Sequence, residues 1–293
     1  MKKKNRKILI LVVIAALAAA GGFSAGRLMN SGASADSSLH TAAYSFNYDW
    51  VRNGQLVAHA LGGIDDKTYT NSEEALVLNY ERGFRVFEAD FQLTKEGQLV
   101  LCHDWSQYRS IAGAPESGEP MTYEEYKSQV IMGRYTPLTC EALMDLMSEY
   151  PDMYLITDTK DSNEIVVKAQ MSQLVWHAGK KDPKILDRII IQLYSEEMLK
   201  YVMDVYPFSS VLITLYQFGH TDEEVIDYCL SNNIKVVTIP ESRMTPGFVS
   251  RLNEAGLCSF IHTINDTGRA GELLGTGVSG IYTDFISIED LRG

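Results

Sequence analysis

Val86-Phe87-Glu88-Ala89-Asp90-Phe91-Gln92-Leu93-Thr94-Lys95-Glu96-Gly97-Gln98-Leu99-Val100-Leu101-Cys102-His103-Asp104 is the stretch that decides the fold. The link between its two apolar runs, Lys95 to Gln98, is far shorter than the dozen or more residues a parallel crossover needs. The runs must therefore pair antiparallel, with Glu96-Gly97 as the expected turn. If Lys95 opposes Gln98, Asp90 lies directly across from His103. Glu88 and Asp90 are two apart, so both leave the same face of their strand. Two carboxylates and an imidazole on one patch suggest a hard-cation site beside a proton-transfer group.

Outward from this hairpin, strand-like and helix-like segments alternate. Gln55 to His59 reads as a first strand, and a helix capped by Ser72, with Glu73 and Glu74 in its first turn, runs to about Arg82. Val86 to Gln92 is the second strand, and Tyr154 to Asp158 the third, preceded by a helix over 140–150. Strands are expected again at 189–193, 211–215, 235–239, 259–263 and 280–283, with helices such as 222–231 between them. Leaving aside the hairpin's return strand, the pattern predicts an α/β fold, a closed (β/α)8 TIM barrel over 55–293. The antiparallel hairpin extends it, and an irregular insertion over about 104–136 covers one mouth.

Barrel enzymes carry their chemistry at the carboxyl ends of the strands. His59 ends the first strand, Glu88 and Asp90 lie late in the second, and Asp158-Thr159-Lys160 ends the third. The hairpin returns His103 to the same rim. Asp158 and Lys160 have a plainer reading, as an ion pair across a strand end.

The composition is that of a globular enzyme: 293 residues, 45% hydrophobic and 22% charged. A formal net charge of −12 argues against nucleic acid as a partner, because phosphate backbones need a basic face. Residues 1–35 hold six Lys or Arg and no acid, leaving 20 basic against 38 acidic residues in the rest. That basic start and the apolar run Ile8 to Phe23 read as a signal peptide or an N-terminal membrane anchor, two readings that stand open. Either places the body outside the cytoplasm, secreted or membrane-attached. Residues 36–54 form a linker and lead-in to the barrel. Cys102, Cys140, Cys229 and Cys258 show no C-x-x-C pair, so buried free thiols are expected rather than a zinc site.

The residues also resemble a known family. His59-Ala60-Leu61-Gly62, Thr70-Asn71-Ser72, Glu88-Ala89-Asp90, Leu93-Thr94-Lys95-Glu96-Gly97, His103-Asp104, Leu138-Thr139-Cys140-Glu141-Ala142-Leu143, Asp158-Thr159-Lys160 and Gly280-Ile281-Tyr282-Thr283-Asp284 are similar, in order, to the motifs of glycerophosphodiester phosphodiesterases. This is a branch of the phosphatidylinositol phospholipase C-like superfamily, and the match runs from about Leu56 to Phe285.

The resemblance implies a TIM barrel that hydrolyses phosphodiesters with a divalent cation, Ca2+ or Mg2+. It implies Glu88, Asp90 and Asp158 as metal ligands and His59 and His103 as general acid and base, in unassigned order. Lys160 falls near the phosphate, and Asn71 is counted with it as substrate-binding. Oxygen-only ligands suit such hard cations. Two positions depart from the family pattern. Ala60 stands where an arginine usually follows the first histidine, and Asp158 stands where a glutamate is usual. Arg134 or Arg109, from the insertion, is the candidate replacement for the lost bidentate clamp.

The implied substrates are small-molecule phosphodiesters or glycerol-phosphate polymers, with membrane attachment through the N-terminus. The alternatives are a lyase that stops at a cyclic phosphate and a weakly catalytic cell-surface binding module. Asp104 is expected to orient His103 or cap the next turn, Asp284 to be structural, and His262 to wall the barrel mouth. The stripe Tyr123, Tyr126, Met132 and Tyr135 reads either as insertion packing or as a lipid- or glycan-facing surface.

Overall fold

The computed structural model describes residues 44–291. The expectation of a signal or anchor in residues 1–35 lies outside the described residues.

Among the described residues there are nine strands: β1 Leu56–Ala58, β2 Val86–Leu93, β3 Leu99–Leu101, β4 Tyr154–Asp158, β5 Ile189–Leu193, β6 Ser210–Thr214, β7 Val236–Pro240, β8 Cys258–His262 and β9 Gly280–Thr283. All but β3 pair in parallel. The order β1-β9-β8-β7-β6-β5-β4-β2, with β1 also paired to β2, closes an eight-stranded barrel. The predicted fold class is what the chain adopts.

In most of the barrel strands a buried apolar residue is followed two places on by a polar one, which is what sorts the barrel interior into layers. Val57, Val86, Ile156, Ile190, Leu212, Val236 and Phe260 make a buried inner cluster. Two residues further along, His59, Glu88, Asp158, Gln192, Thr214 and His262 line a cavity at the carboxyl end. Trp50, in the turn Asp49–Asn53, belongs to the apolar inner cluster and donates its indole N–H to Ser210 Oγ at 3.0 Å. The lead-in to the barrel thus takes part in its core. A second, larger apolar layer fills the space between the strands and the surrounding helices.

The hairpin corrects one expectation. Phe91 pairs with Leu101, Gln92 with Val100 and Leu93 with Leu99, so the register is one residue away from the predicted one. Gly97 has φ 84, its N–H donates to Thr94 O, and Thr94 N–H donates to Gln98 O at 2.9 Å. The left-handed glycine makes a three-residue loop, Lys95 to Gly97, where a two-residue turn was expected. Cys102, whose N–H donates to Asp90 O at 3.1 Å, therefore takes the place beside Asp90 expected for His103. A one-residue slip would aim His103 away from the site. The ladder stops at Leu101, and His103 instead sits in the turn before the helix Trp105–Ile111.

The insertion is built of that helix and Tyr123–Lys127, packed on Val100, Cys102 and Ala75. Tyr126 is fully buried and its hydroxyl bridges Leu101 O at 2.7 Å and Leu138 O at 2.8 Å. The packing reading of the tyrosine stripe holds for Tyr126 and for the buried Tyr135. Tyr126→Phe removes this buried hydroxyl from between the two carbonyls, although Leu138 O keeps the Leu101 N–H, and should destabilise the fold by about 1–3 kcal/mol. Chemical denaturation of the two proteins side by side would check this. All four cysteines are free, three buried and Cys258 partly so.

Candidate active site

Three carboxylates converge because of strand register. Asp90 and Asp158 are direct partners across the β2–β4 ladder, and Glu88 lies two residues before Asp90 on the same face. One oxygen from each of the three lies within 4.8 Å of the others. Glu88 Oε2 accepts the Ala60 N–H at 2.7 Å, whereas Oε1 is buried with no hydrogen-bond partner. Asn71 grips Asp90 twice, donating to Oδ2 at 2.7 Å and accepting the Asp90 N–H at 3.1 Å. Lys160 Nζ donates to Asp158 Oδ2 at 2.5 Å and stands 2.6 Å from Asp90 Oδ1, outside hydrogen-bonding geometry for the latter. The Tyr194 hydroxyl also donates to Asp158.

The charges perturb one another strongly. Burial pushes Glu88 up to about 8, helped by the neighbouring Asp90 charge. Burial also raises Asp158, to about 6, against the pull of Lys160. Burial opposes the Asp90 charge too, but Lys160, His59 and the Asn71 hydrogen bond win and hold Asp90 below its ordinary value. Burial disfavours a charged Lys160, yet the three carboxylates together raise it. An unpartnered buried Glu88 oxygen and three clustered carboxylates are what a hard divalent cation would complete. The donor set fits Ca2+ or Mg2+ and lacks the nitrogen and sulfur ligands common for zinc.

Two histidines flank this cluster. His59 begins the turn His59–Leu61 at the end of β1, where Gly62 has φ 86 and any Cβ there would meet Asn79 Nδ2 at 2.3 Å. His59 Nδ1 lies 2.9 Å from Asp284 Oδ1, and Asn265 Nδ2 donates to the other Asp284 oxygen at 2.6 Å. Burial alone would lower His59, but the Asp284 hydrogen bond and the Glu88, Asp284 and Asp90 charges raise it to about 9. His103 Nδ1 lies 2.9 Å from Asp104 Oδ2, while Asp104 Oδ1 caps the following helix at Gln107 N–H. Asp104 thus fills both of its expected roles. The cavity of about 240 Å³ is lined by His59, Tyr69, Glu88, His103, Asp158, Lys160 and residues of β5, β6, β8 and β9.

Asn71 and Arg134 are placed differently from expectation. Asn71 is fully buried behind Asp90 and orients that carboxylate, so it supports the cluster and does not line the cavity. Arg134 donates to Asp65 Oδ2 at 2.6 Å, with its side chain 60% exposed and outside the cavity lining. Arg109 is spent on Glu119 O. Neither arginine reaches the position vacated at Ala60, because the insertion is held by its own packing. Lys160 is the cation in the lining, and it forms the plainer ion pair with Asp158 as well.

Asp284, expected to be structural, stands instead against a site histidine. Asp284 follows β9, and closure of the barrel brings β9 beside β1, so an acid after the last strand signals a partner for His59. His262 walls the mouth as expected; burial lowers it to about 4, so it is neutral near pH 7. Tyr69, Gln192 and Tyr194 also line the cavity, with no motif to announce them.

A parallel barrel with three carboxylates and two histidines at its mouth has the frame of a barrel hydrolase. The sequence model of the Glycerophosphoryl diester phosphodiesterase family matches residues 63–288, and the chain belongs to that family. It is accordingly an enzyme of the phosphoric diester hydrolase class. It is 22% identical over 241 residues, 72% of this chain and 79% of the relative, to the glycerophosphodiester phosphodiesterase of Bacillus subtilis (strain 168). Among solved structures, an Oleispira antarctica phosphodiesterase in complex with the product sn-glycerol-3-phosphate matches with TM-score 0.67 and 19% identity, covering 81% of this chain and 95% of that one. A glycerophosphodiester phosphodiesterase from Parabacteroides distasonis ATCC 8503 matches with TM-score 0.65 and 20% identity, again covering 81% and 95%.

Proposed function

We propose that this enzyme hydrolyses glycerophosphodiesters to glycerol phosphate and an alcohol with the help of a divalent cation. The observation that carries this reading is the single cavity wall on which Glu88, Asp158, Lys160, His59 and His103 meet. Glu88, Asp90 and Asp158 would hold the cation, which supplies Lewis-acid charge stabilisation to a phosphate oxygen when bound. Lys160, with the protonated His59, brings positive charge to the same wall, in place of the arginine that Ala60 lacks.

His59 is the general acid. Its raised pKa and the Asp284 hydrogen bond keep Nε2 protonated near neutral pH, ready for the leaving alcohol oxygen. A cation held by Glu88, Asp90 and Asp158 would cancel part of that stabilisation and bring His59 closer to the working pH. His103, half-exposed and oriented by Asp104, is the general base for water or for a substrate hydroxyl. The basic, apolar residues 1–35 support delivery of this activity outside the cytoplasm.

The reading is tested by assaying a panel of glycerophosphodiesters and glycerol-phosphate polymers with Ca2+, Mg2+ or chelator. Cation-dependent release of glycerol phosphate is expected; the same turnover in chelator would refute the cation's role. Phosphorus NMR of the products separates hydrolysis from arrest at a cyclic phosphate. The cation should also displace protons, since ligation demands ionised carboxylates. At pH 7 we expect release of about one proton per site, chiefly from Glu88 with its pKa of about 8. Calorimetry in buffers of different ionisation enthalpy reads this directly, and binding without proton release would contradict the assignment.

A further inference from the structure

One residue touches both histidines and belongs to no motif. The Tyr69 ring centroid lies 4.7 Å from that of His59 at an interplanar angle of 83° and 4.9 Å from that of His103 at 75°. Both contacts have the edge-to-face geometry that aromatic rings prefer. We infer that Tyr69 is a positioning residue, an aromatic spacer that sets the gap between the two imidazoles across which a phosphodiester is held.

The backbone supports a purpose beyond packing. Tyr69 has φ 57, a left-handed conformation that is strained for a bulky residue. Its surroundings enforce that conformation. On one side Asn71 is locked to the side chain and backbone of Asp90. On the other, Ile64 and Lys67 exchange backbone hydrogen bonds of 3.0 and 2.8 Å, and Asp65 is held by Arg134 and the Tyr135 hydroxyl. The loop carrying the ring is thus tied both to the carboxylate cluster and to the insertion. Arg134 acts here through the loop and not on the substrate.

The ring does the spacing, not the hydroxyl. Among the described residues, no hydrogen bond engages the Tyr69 hydroxyl, although the ring lines the cavity. The two imidazoles depend on it unequally. His59 has a buried anchor in Asp284, their side chains being 12% and 5% exposed. His103 has only Asp104, with side chains 37% and 48% exposed. Without the ring, His103 is the group free to leave its place.

This inference rests on the assignment of His59 and His103 as acid and base, and its test separates the two claims. Tyr69→Phe keeps the spacer, while Tyr69→Asn removes it with a residue that tolerates the left-handed backbone. Turnover should stay within about threefold of the parent in Tyr69→Phe. It should fall roughly 10–100-fold in Tyr69→Asn through kcat, as expected of a misplacement near 1 Å. That loss should appear on an activated p-nitrophenyl diester too, because the base is the group set loose. Histidine side-chain NMR of the full chain should show the His103 imidazole signals moving and broadening in Tyr69→Asn. A parental kcat in Tyr69→Asn, or an equal loss in Tyr69→Phe, overturns the spacer, as does a loss confined to KM. The NMR readout stands even if glycerophosphodiesters prove not to be substrates. Unmoved His103 signals in Tyr69→Asn would overturn the spacer by themselves; if Tyr69→Asn fails to fold, Tyr69→Gly, which also removes the ring and accepts the left-handed backbone, takes its place in both measurements.

Discussion

His59→Ala and His103→Ala should each lower turnover of a glycerophosphodiester by roughly 10²–10⁴-fold, yet differ sharply on a p-nitrophenyl diester. The nitrophenolate leaves without needing a proton, so loss of His59, the proposed acid, should be largely forgiven there. Loss of His103, the proposed base, should not. The distinction follows from geometry: His59 is held by the buried Asp284 and raised to about 9, whereas His103 faces the open mouth beside Asp104. On the unactivated ester, turnover should fall as pH rises through the His59 pKa, because the active form is the protonated one. Steady-state rates of both variants on both esters decide the matter. If His59→Ala loses as much on the nitrophenyl ester as on the natural one, the assignment of roles is wrong.

Removal of the proposed divalent cation, or of one of the carboxylates that would hold it, is the second large effect expected. Lewis-acid stabilisation is worth several kcal/mol, so chelation or Asp90→Asn should cost about 10³-fold or more in kcat. Asn71→Ala leaves all three carboxylates in place but frees Asp90 to turn, and should weaken cation affinity by about 10–100-fold. Excess Ca2+ or Mg2+ should rescue Asn71→Ala but not Asp90→Asn; the opposite pattern would show that Asn71 acts on substrate.

The cation-free protein should also reveal its strained charges through pH. Glu88, Asp158 and His59 all have folded-state values raised above ordinary ones, to about 8, 6 and 9. Each therefore holds a proton in the folded state that the unfolded chain has already released, and stability falls as pH rises through these windows. For His59 the favourable contribution is complete below about 6.5 and gone above about 9. Melting temperatures of the metal-free protein should drop from about pH 5 to pH 9, and added cation should flatten the slope. A flat profile without cation would show that these groups are not perturbed as the structure requires.

The departures from expectation have physical causes that were hidden at the level of spacing. A single left-handed glycine in the Lys95–Gly97 loop shifted the hairpin register and replaced His103 by Cys102 beside Asp90. His103 still reaches the cavity because the chain leaves the ladder after Leu101. Arg134 lies close in sequence to the insertion's packed core, and that packing keeps it at Asp65. Asn71 reads from the sequence as substrate-binding, but whether an amide faces substrate or braces a carboxylate depends on atoms more than a dozen positions away.

The amino-acid order alone determined the barrel and the ring of chemistry at its mouth. Strand and helix periods are local, and a polar residue two places after an apolar one at a strand's end necessarily points into the same interior. Tertiary closure decided the rest. Joining β9 to β1 brings Asp284 to His59, and docking the 64–71 loop between hairpin and barrel puts Tyr69 between the histidines. Contacts of that kind are set by which distant surfaces come to share one small space, and no spacing along the chain encodes them.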